Sequence, residues 1–134
     1  MNYGKMLKIA SVQLARDMDK FAQQYGLTGT QMTILNYLSE NDGEHISQKN
    51  LTDEFAVKSS TMSVIIDRME KRGIIRRIAV GRNKFIRLTS SAEKYVKAIQ
   101  EYFENDNKRL VGQFNETEKE VIKRFLEQIG EKDA

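Results

Sequence analysis

The fold is decided by the stretch from Ser47 to Thr89, which reads SQKNLTDEFAVKSSTMSVIIDRMEKRGIIRRIAVGRNKFIRLT. It predicts a short helix that begins at Ser47, a break at Ala56-Val57, and a second helix from Lys58 to Arg72, since apolar residues recur there at helical spacing. Two β-prone runs then flank a turn that contains Gly and Asn, which indicates a hairpin, and they cover Ile74–Ala79 and Lys84–Leu88. Helix, helix and hairpin in this order predict a winged helix-turn-helix.

Helices are also expected before this module. One helix is predicted over residues 2–25, and another begins at Thr28, where Gln31 completes a capping-box pattern. His45-Ile46 could form a very short strand. The apolar stripe of the first helix repeats every seven residues through Leu7, Leu14 and Phe21.

Two further helices are expected after the hairpin. Helix resumes at about Ser90, and Asn115 with Glu118 is the capping-box pattern of a final helix. The stripes of the first and last helices are too extensive for one small winged-helix core, and left exposed they would form an unusually large apolar patch. We therefore expect a homodimer rather than a membrane-surface helix, because acids and bases balance in the first helix. The last helix contributes Val121, Phe125 and Ile129.

Charge is concentrated in the predicted winged helix. The 134 residues include 22 Lys plus Arg and 19 Asp plus Glu, a net charge of +3. Residues 68–87 hold a single acid, Glu70, and so carry +7. Such a localised patch is typical of a surface that binds polyanions, although a merely solvated charged face is the alternative. The basic residues are Arg68, Lys71, Arg72, Arg76, Arg77, Arg82, Lys84 and Arg87.

Composition excludes several function classes. The chain has no Cys, so disulfides, thiolate metal sites and thiol nucleophiles are absent, and its single histidine, His45, cannot build a multi-His metal site. No motif supplies His45 with a nucleophile and an acid partner, so an enzyme is not expected. Neither a signal peptide nor a membrane-length apolar run is visible, which predicts a cytoplasmic protein without a membrane partner. We expect no metal and no cofactor.

The same residues resemble the MarR (multiple antibiotic resistance regulator) family. The resemblance rests on GLTGTQMTILNYL, ISQKNLTDEF, STMSVIIDRMEKRGIIRR and IRLTSSAEKYV, and it covers about Leu27 to Val96. It implies a mainly α protein with a small β-hairpin wing, dimerisation helices at 2–25 and 90–130, and a DNA-binding winged helix at 28–89. It further implies a homodimeric repressor that binds a pseudo-palindromic operator in double-stranded DNA. A small-molecule effector, bound in the crevice between the dimer helices and the winged helix, would release it.

Specific DNA contacts follow from the recognition helix and the wing. The start of a recognition helix meets base edges in the major groove, and small hydroxyl side chains suit that approach. The resemblance implies that Arg82 enters the minor groove and that Arg77 is partly structural. We expect contacts from Gln48, Lys49, Lys58, Ser59, Ser60, Thr61, Ser63, Val64, Arg68, Arg82, Asn83 and Lys84.

Some of these residues have a second interpretation. Ser59 could simply be a helix N-cap, and Gln48 and Lys49 could lie in a plain exposed turn. Arg68 could pair with Asp67 or Glu70 rather than with DNA. The whole module could instead bind a protein.

The chain also departs from the family pattern, because Val80 stands where the wing usually has Asp, Leu51-Thr52 replaces Leu-Ala, and the wing is shorter.

Overall fold

Six α-helices, one short 3₁₀ helix and one β-hairpin make up residues 1–131, the part of the chain that the computed structural model describes. The prediction of a mainly α winged helix-turn-helix is confirmed. The elements are α1 (Tyr3–Gln23), α2 (Gly29–Glu40), α3 (Gln48–Phe55), α4 (Ser59–Lys71), β1 (Ile75–Val80), β2 (Asn83–Leu88), the 3₁₀ helix (Ser90–Ala92), α5 (Glu93–Val111) and α6 (Glu116–Gly130).

Side chains of the chain itself set the starts of the helices. Both predicted capping boxes are present: Gln31 N–H donates to the Thr28 hydroxyl over 3.1 Å, and Glu118 N–H donates to Asn115 over 2.8 Å. A third capping box joins Ser47 to Asn50. α1 is shorter than predicted at both ends, because Asn2 caps it and the backbone turns after Gln23.

The two strands of the hairpin are joined by a turn of two residues. Val80 pairs with Asn83 in the antiparallel register, so only Gly81 and Arg82 form the turn. Gly81 has φ +62 while Arg82 keeps a negative φ, which is the pattern of a type II′ turn and explains the glycine. The predicted strand at His45-Ile46 is wrong: a single backbone bond, from Ile86 N–H to Ile46 O over 2.7 Å, does not make a ladder.

The buried core fixes the orientation of α4. Met62, Ile66 and Met69 are fully buried on one side of this helix, at the helical spacing that the sequence predicted. The helix that carries them contacts both α3 and β1. The other fully buried large side chains are Met32, Ile34, Leu35, Leu51, Ile75 and Ile99.

Two compact units divide the chain, residues 1–99 and residues from 100 onward. This boundary falls inside α5. The first unit contains α1 and the whole winged helix; in the second, none of the described α6 side chains is buried. Among residues 1–131, every helix is too short or too polar to cross a bilayer.

Candidate nucleic-acid interface

The face of α4 that points away from the core carries small polar residues and, in its last turns, the exposed cations Arg68 and Lys71. Ser60 and Arg68 are exposed, and each lies about one helical turn from Val64, which sits between them. Ser63 is half-buried at the edge of this face, and Thr61 is exposed. The fold therefore brings most of the predicted α4 contacts onto one accessible surface.

The N-terminus of α4 is left open. Lys58 occupies the N-cap position with an extended backbone, and its side chain makes no capping bond. The alternative that Ser59 caps the helix is therefore wrong, since Ser59 is already the first helical residue. Uncapped N–H groups at a helix start can donate to an anion, and the macrodipole favours negative charge there.

Arg77 binds both acids of α4. Its guanidinium donates to Glu70 Oε1 and to Asp67 Oδ1, each over 2.8 Å, and its backbone N–H donates to Glu70 Oε2 over 2.9 Å. The Arg77 backbone N–H keeps the pKa of Glu70 below its ordinary value, against the opposing effect of burial. Hydrogen bonds to Asp67 and Glu70 raise the pKa of Arg77 although burial lowers it. The structural role implied for Arg77 is thus confirmed.

The Arg68 guanidinium is consequently left without an acidic partner among the described residues. Within residues 1–131 it forms no ion pair, because the acids that could have bound it contact Arg77 instead. The alternative in which Asp67 or Glu70 neutralises Arg68 is wrong for this structure. Arg77 gains more from the two carboxylates than Arg68 would, because its side chain is only 21% exposed and solvent screens its charge less than that of the exposed Arg68.

The start of α3 is more occupied than expected. The Gln48 side chain accepts a hydrogen bond from Arg77 over 3.1 Å. Lys49 pairs with Asp53 one turn along the same helix, over 2.9 Å, and this bond raises the pKa of Lys49. Gln48 is half-buried and bound to Arg77, whereas Lys49 is exposed at the surface.

The wing presents its cations at the tip of the hairpin. Arg82 lies in the turn itself, with Asn83 and Lys84 directly after it, and all three are exposed. None of them forms an ion pair with another described residue. Val80, in the position where the family usually has Asp, is 47% exposed beside them.

Arg72 has a structural role that the sequence did not reveal. Its guanidinium donates to Tyr25 O over 2.6 Å and also to Gly26 O, which ties the end of α4 to the segment after α1. Burial alone would raise the pKa of Tyr95, yet hydrogen bonds from Lys94 and Arg72 lower it. The only signal in the sequence was the run of basic residues, which does not distinguish Arg72 from its neighbours.

His45 and the acidic residues form no metal-binding cluster in the described part of the chain. The exposed His45 ring stacks on Phe85 of the wing, with centroids 4.4 Å apart. No group of three or more His, Asp or Glu side chains within residues 1–131 is placed to hold a metal ion.

Comparison with known proteins identifies the same module. A model described as MarR family matches residues 25–84. The HTH-type transcriptional regulator PecS of Dickeya dadantii is 25% identical over 128 residues, which are 92% of this chain and 76% of PecS.

Solved structures match over nearly the whole chain. The transcription regulator MarR from Oenococcus oeni PSU-1 is 37% identical with a TM-score of 0.90, covering 96% of this chain and 98% of that one. MepR of S. aureus, in a complex with DNA, is 25% identical with a TM-score of 0.88, covering 96% and 94%. Given this identity and the winged-helix geometry, the chain belongs to the MarR family of transcription regulators.

Proposed function

We propose that the protein is a homodimeric regulator of transcription that binds specific double-stranded DNA through α4 and the wing, and that it acts as a repressor. One observation carries this proposal. Arg77 holds both acids of α4, so the exposed face with Ser60 and Arg68 keeps its positive charge. A recognition surface needs this arrangement, because an unpaired carboxylate there would repel phosphates.

The docking geometry follows from the fold class. The start of α4 enters the major groove, and Arg82 reaches the backbone or the minor groove from the tip of the wing. In a two-fold symmetric dimer, two α4 helices occupy successive major grooves about 34 Å apart, which requires a pseudo-palindromic operator. The similarity to the MepR–DNA complex supports this mode.

Exposed apolar side chains at both ends of the chain support the homodimer. The α6 residues Val121, Phe125, Leu126 and Ile129 are 42–59% exposed, and Tyr3, Met6 and Ile9 of α1 are 52–70% exposed. Leu7, Leu14 and Phe21, the predicted interface of α1, are half-buried within the single chain. The interface of α1 is therefore proposed to include the more exposed residues as well.

Charge placed on α6 tests the dimer. We expect Phe125→Glu to shift sedimentation equilibrium from dimer to monomer, since it would bury a carboxylate in an apolar contact. Val80→Glu is the control, because Val80 is similarly exposed, at 47% against 42%, but lies in the wing. A Phe125→Glu protein that stays dimeric at the dilutions where the wild type does would contradict this part.

A cavity in the first unit supports release by a small-molecule effector. It has a volume of about 210 Å³ and lies where α1, α2 and the end of α3 meet, lined in part by Met18, Gly29, Phe55 and Val57. Its mostly apolar wall favours a small apolar ligand. The test is to add a mixture of small apolar compounds and to measure duplex affinity and the NMR signals of Met18 and Phe55. If neither changes, the proposal of a small-molecule effector in this cavity is contradicted.

Salt dependence of duplex binding tests the DNA-binding proposal. We expect affinity for duplex DNA, measured by fluorescence anisotropy, to fall steeply between about 50 and 200 mM salt, because bound cations release counterions. Arg68→Met should reduce the slope of log affinity against log salt by about one for each protomer. Arg16→Met is the control, since Arg16 is an exposed arginine of α1 without an ion pair among the described residues. No duplex binding, or a flat salt dependence, would favour the alternative of a protein-interaction module.

A further inference from the structure

An exposed aliphatic side chain stands in the middle of the recognition surface. Val64 is 48% exposed on α4, and within residues 27–89 the only other large apolar side chain so exposed is Val80 in the wing. A single exposed valine is ordinary on a protein surface. Its position, between Ser60 one turn before and Arg68 one turn after, is what requires an explanation.

The geometry of α4 directs Val64 away from the core. Each residue advances about 100° around a helix axis, so Val64 lies about 200° from Met62 and from Ile66, two residues away on either side. Both of those residues are fully buried. Val64 therefore lies nearly opposite the buried face, along the line that would enter deepest into a groove.

The chemistry of valine restricts what it can recognise there. Val64 has no donor or acceptor, so a phosphate or a polar base edge gains nothing from it and loses hydration. In the major groove, the apolar feature of a base edge is the C5-methyl group of thymine. Cytosine offers an amino donor in its place and has no methyl group at C5.

We propose that Val64 reads the C5-methyl group of one thymine in each half-site of the operator, an inference that rests on the DNA-binding function proposed above. Hydroxyl groups at Ser60 and Thr61 and the Arg68 guanidinium flank Val64 on the same side of α4, so polar contacts position the helix and Val64 supplies an apolar selection. The contact buries one methyl group, which corresponds to about a fourfold change in affinity.

Uracil substitution isolates this contact, because uracil differs from thymine only by the missing methyl group. Sequences bound by the full-length wild-type protein are first selected from random duplex DNA. Each thymine of one half-site is then replaced by uracil in turn, and affinity is measured by fluorescence anisotropy at fixed salt. We expect one thymine whose replacement weakens wild-type binding about fourfold.

Variants then assign the effect to Val64. Val64→Ala should bind the thymine and uracil duplexes equally at that position, whereas Val80→Ala, the matched exposed valine in the wing, should keep the fourfold difference. Each comparison is made within one variant, so a change in overall stability does not affect it. The inference is overturned if no uracil weakens wild-type binding, or if Val64→Ala keeps the full difference. If the protein selects duplex sequences but no uracil substitution weakens binding, only the Val64 inference is overturned and the DNA-binding function stands. If the protein binds no duplex DNA, the Val64 inference and the proposed function are both overturned.

Discussion

Replacing Arg77 with methionine tests how the recognition helix is held. Methionine keeps an unbranched apolar stem but loses the guanidinium, which contacts Asp67, Glu70 and Gln48 at the same time. The Arg77 backbone N–H would still donate to Glu70, so the substitution removes only the side-chain contacts.

The expected loss follows from the exposure of each partner. The Asp67 carboxylate is 65% exposed and the Glu70 carboxylate 38%, so solvent screens both pairs and each contributes about 0.5–1 kcal/mol. The hydrogen bond to Gln48 adds about 1 kcal/mol. Arg77→Met should therefore lower the free energy of unfolding by about 2–3 kcal/mol.

Urea unfolding, followed by circular dichroism at one fixed protein concentration, measures this loss. Arg76→Met is the matched control, because Arg76 is the neighbouring arginine of β1, is exposed and forms no ion pair among the described residues. We expect Arg76→Met to stay within about 0.5 kcal/mol of the wild type. Equal losses in the two variants would refute the reasoning.

Three further substitutions probe the wing, the acid cluster and the packing of α1 on α2. Arg82→Ala should weaken duplex binding by about 1–3 kcal/mol, and an unchanged affinity would mean that the short wing does not reach the DNA. Because the pKa of Glu70 is lowered in the folded state, its carboxylate stabilises the fold above the ordinary value of 4.5, and this contribution is lost as the pH falls below it. Between about pH 7 and about pH 3.5, the range over which carboxylates titrate, the unfolding free energy of Glu70→Gln should thus fall less than that of the wild type. Identical pH profiles of the two proteins would contradict this. Gly29→Ala should lower the thermal midpoint, since the added Cβ would lie 2.8 Å from Asp19 Oδ1, which accepts from the Gly29 N–H; an unchanged midpoint would show that α1 can move aside.

The helices and the wing were predictable because their signals are local. Thr28 with Gln31 and Asn115 with Glu118 identified helix starts, since a capping box involves only residues three apart. The predicted strand at His45-Ile46 failed for the opposite reason. Its pairing depends on a distant partner, and Ile86 supplies just one backbone bond.

The site was predictable as a segment and less so as individual contacts. Ser60, Thr61, Val64 and Arg68 share the accessible face of α4, as helical periodicity implies once the buried face is known. Gln48 was assigned to the same surface, but in the structure its side chain binds Arg77. No spacing rule connects residues 29 positions apart.

By itself, the sequence determined the order of elements, the basic winged helix and the family, because each depends on neighbours along the chain or on motifs in a fixed order. Tertiary structure alone decided which cations are available. Eight basic residues between 68 and 87 look alike in the sequence, yet Arg77 neutralises the acids of α4 and Arg72 binds backbone carbonyls after α1. The physical reason is that each charge pairs with whatever partner the fold brings within hydrogen-bonding distance, and these partners lie between 7 and 47 positions away along the chain, where no helical spacing rule connects them.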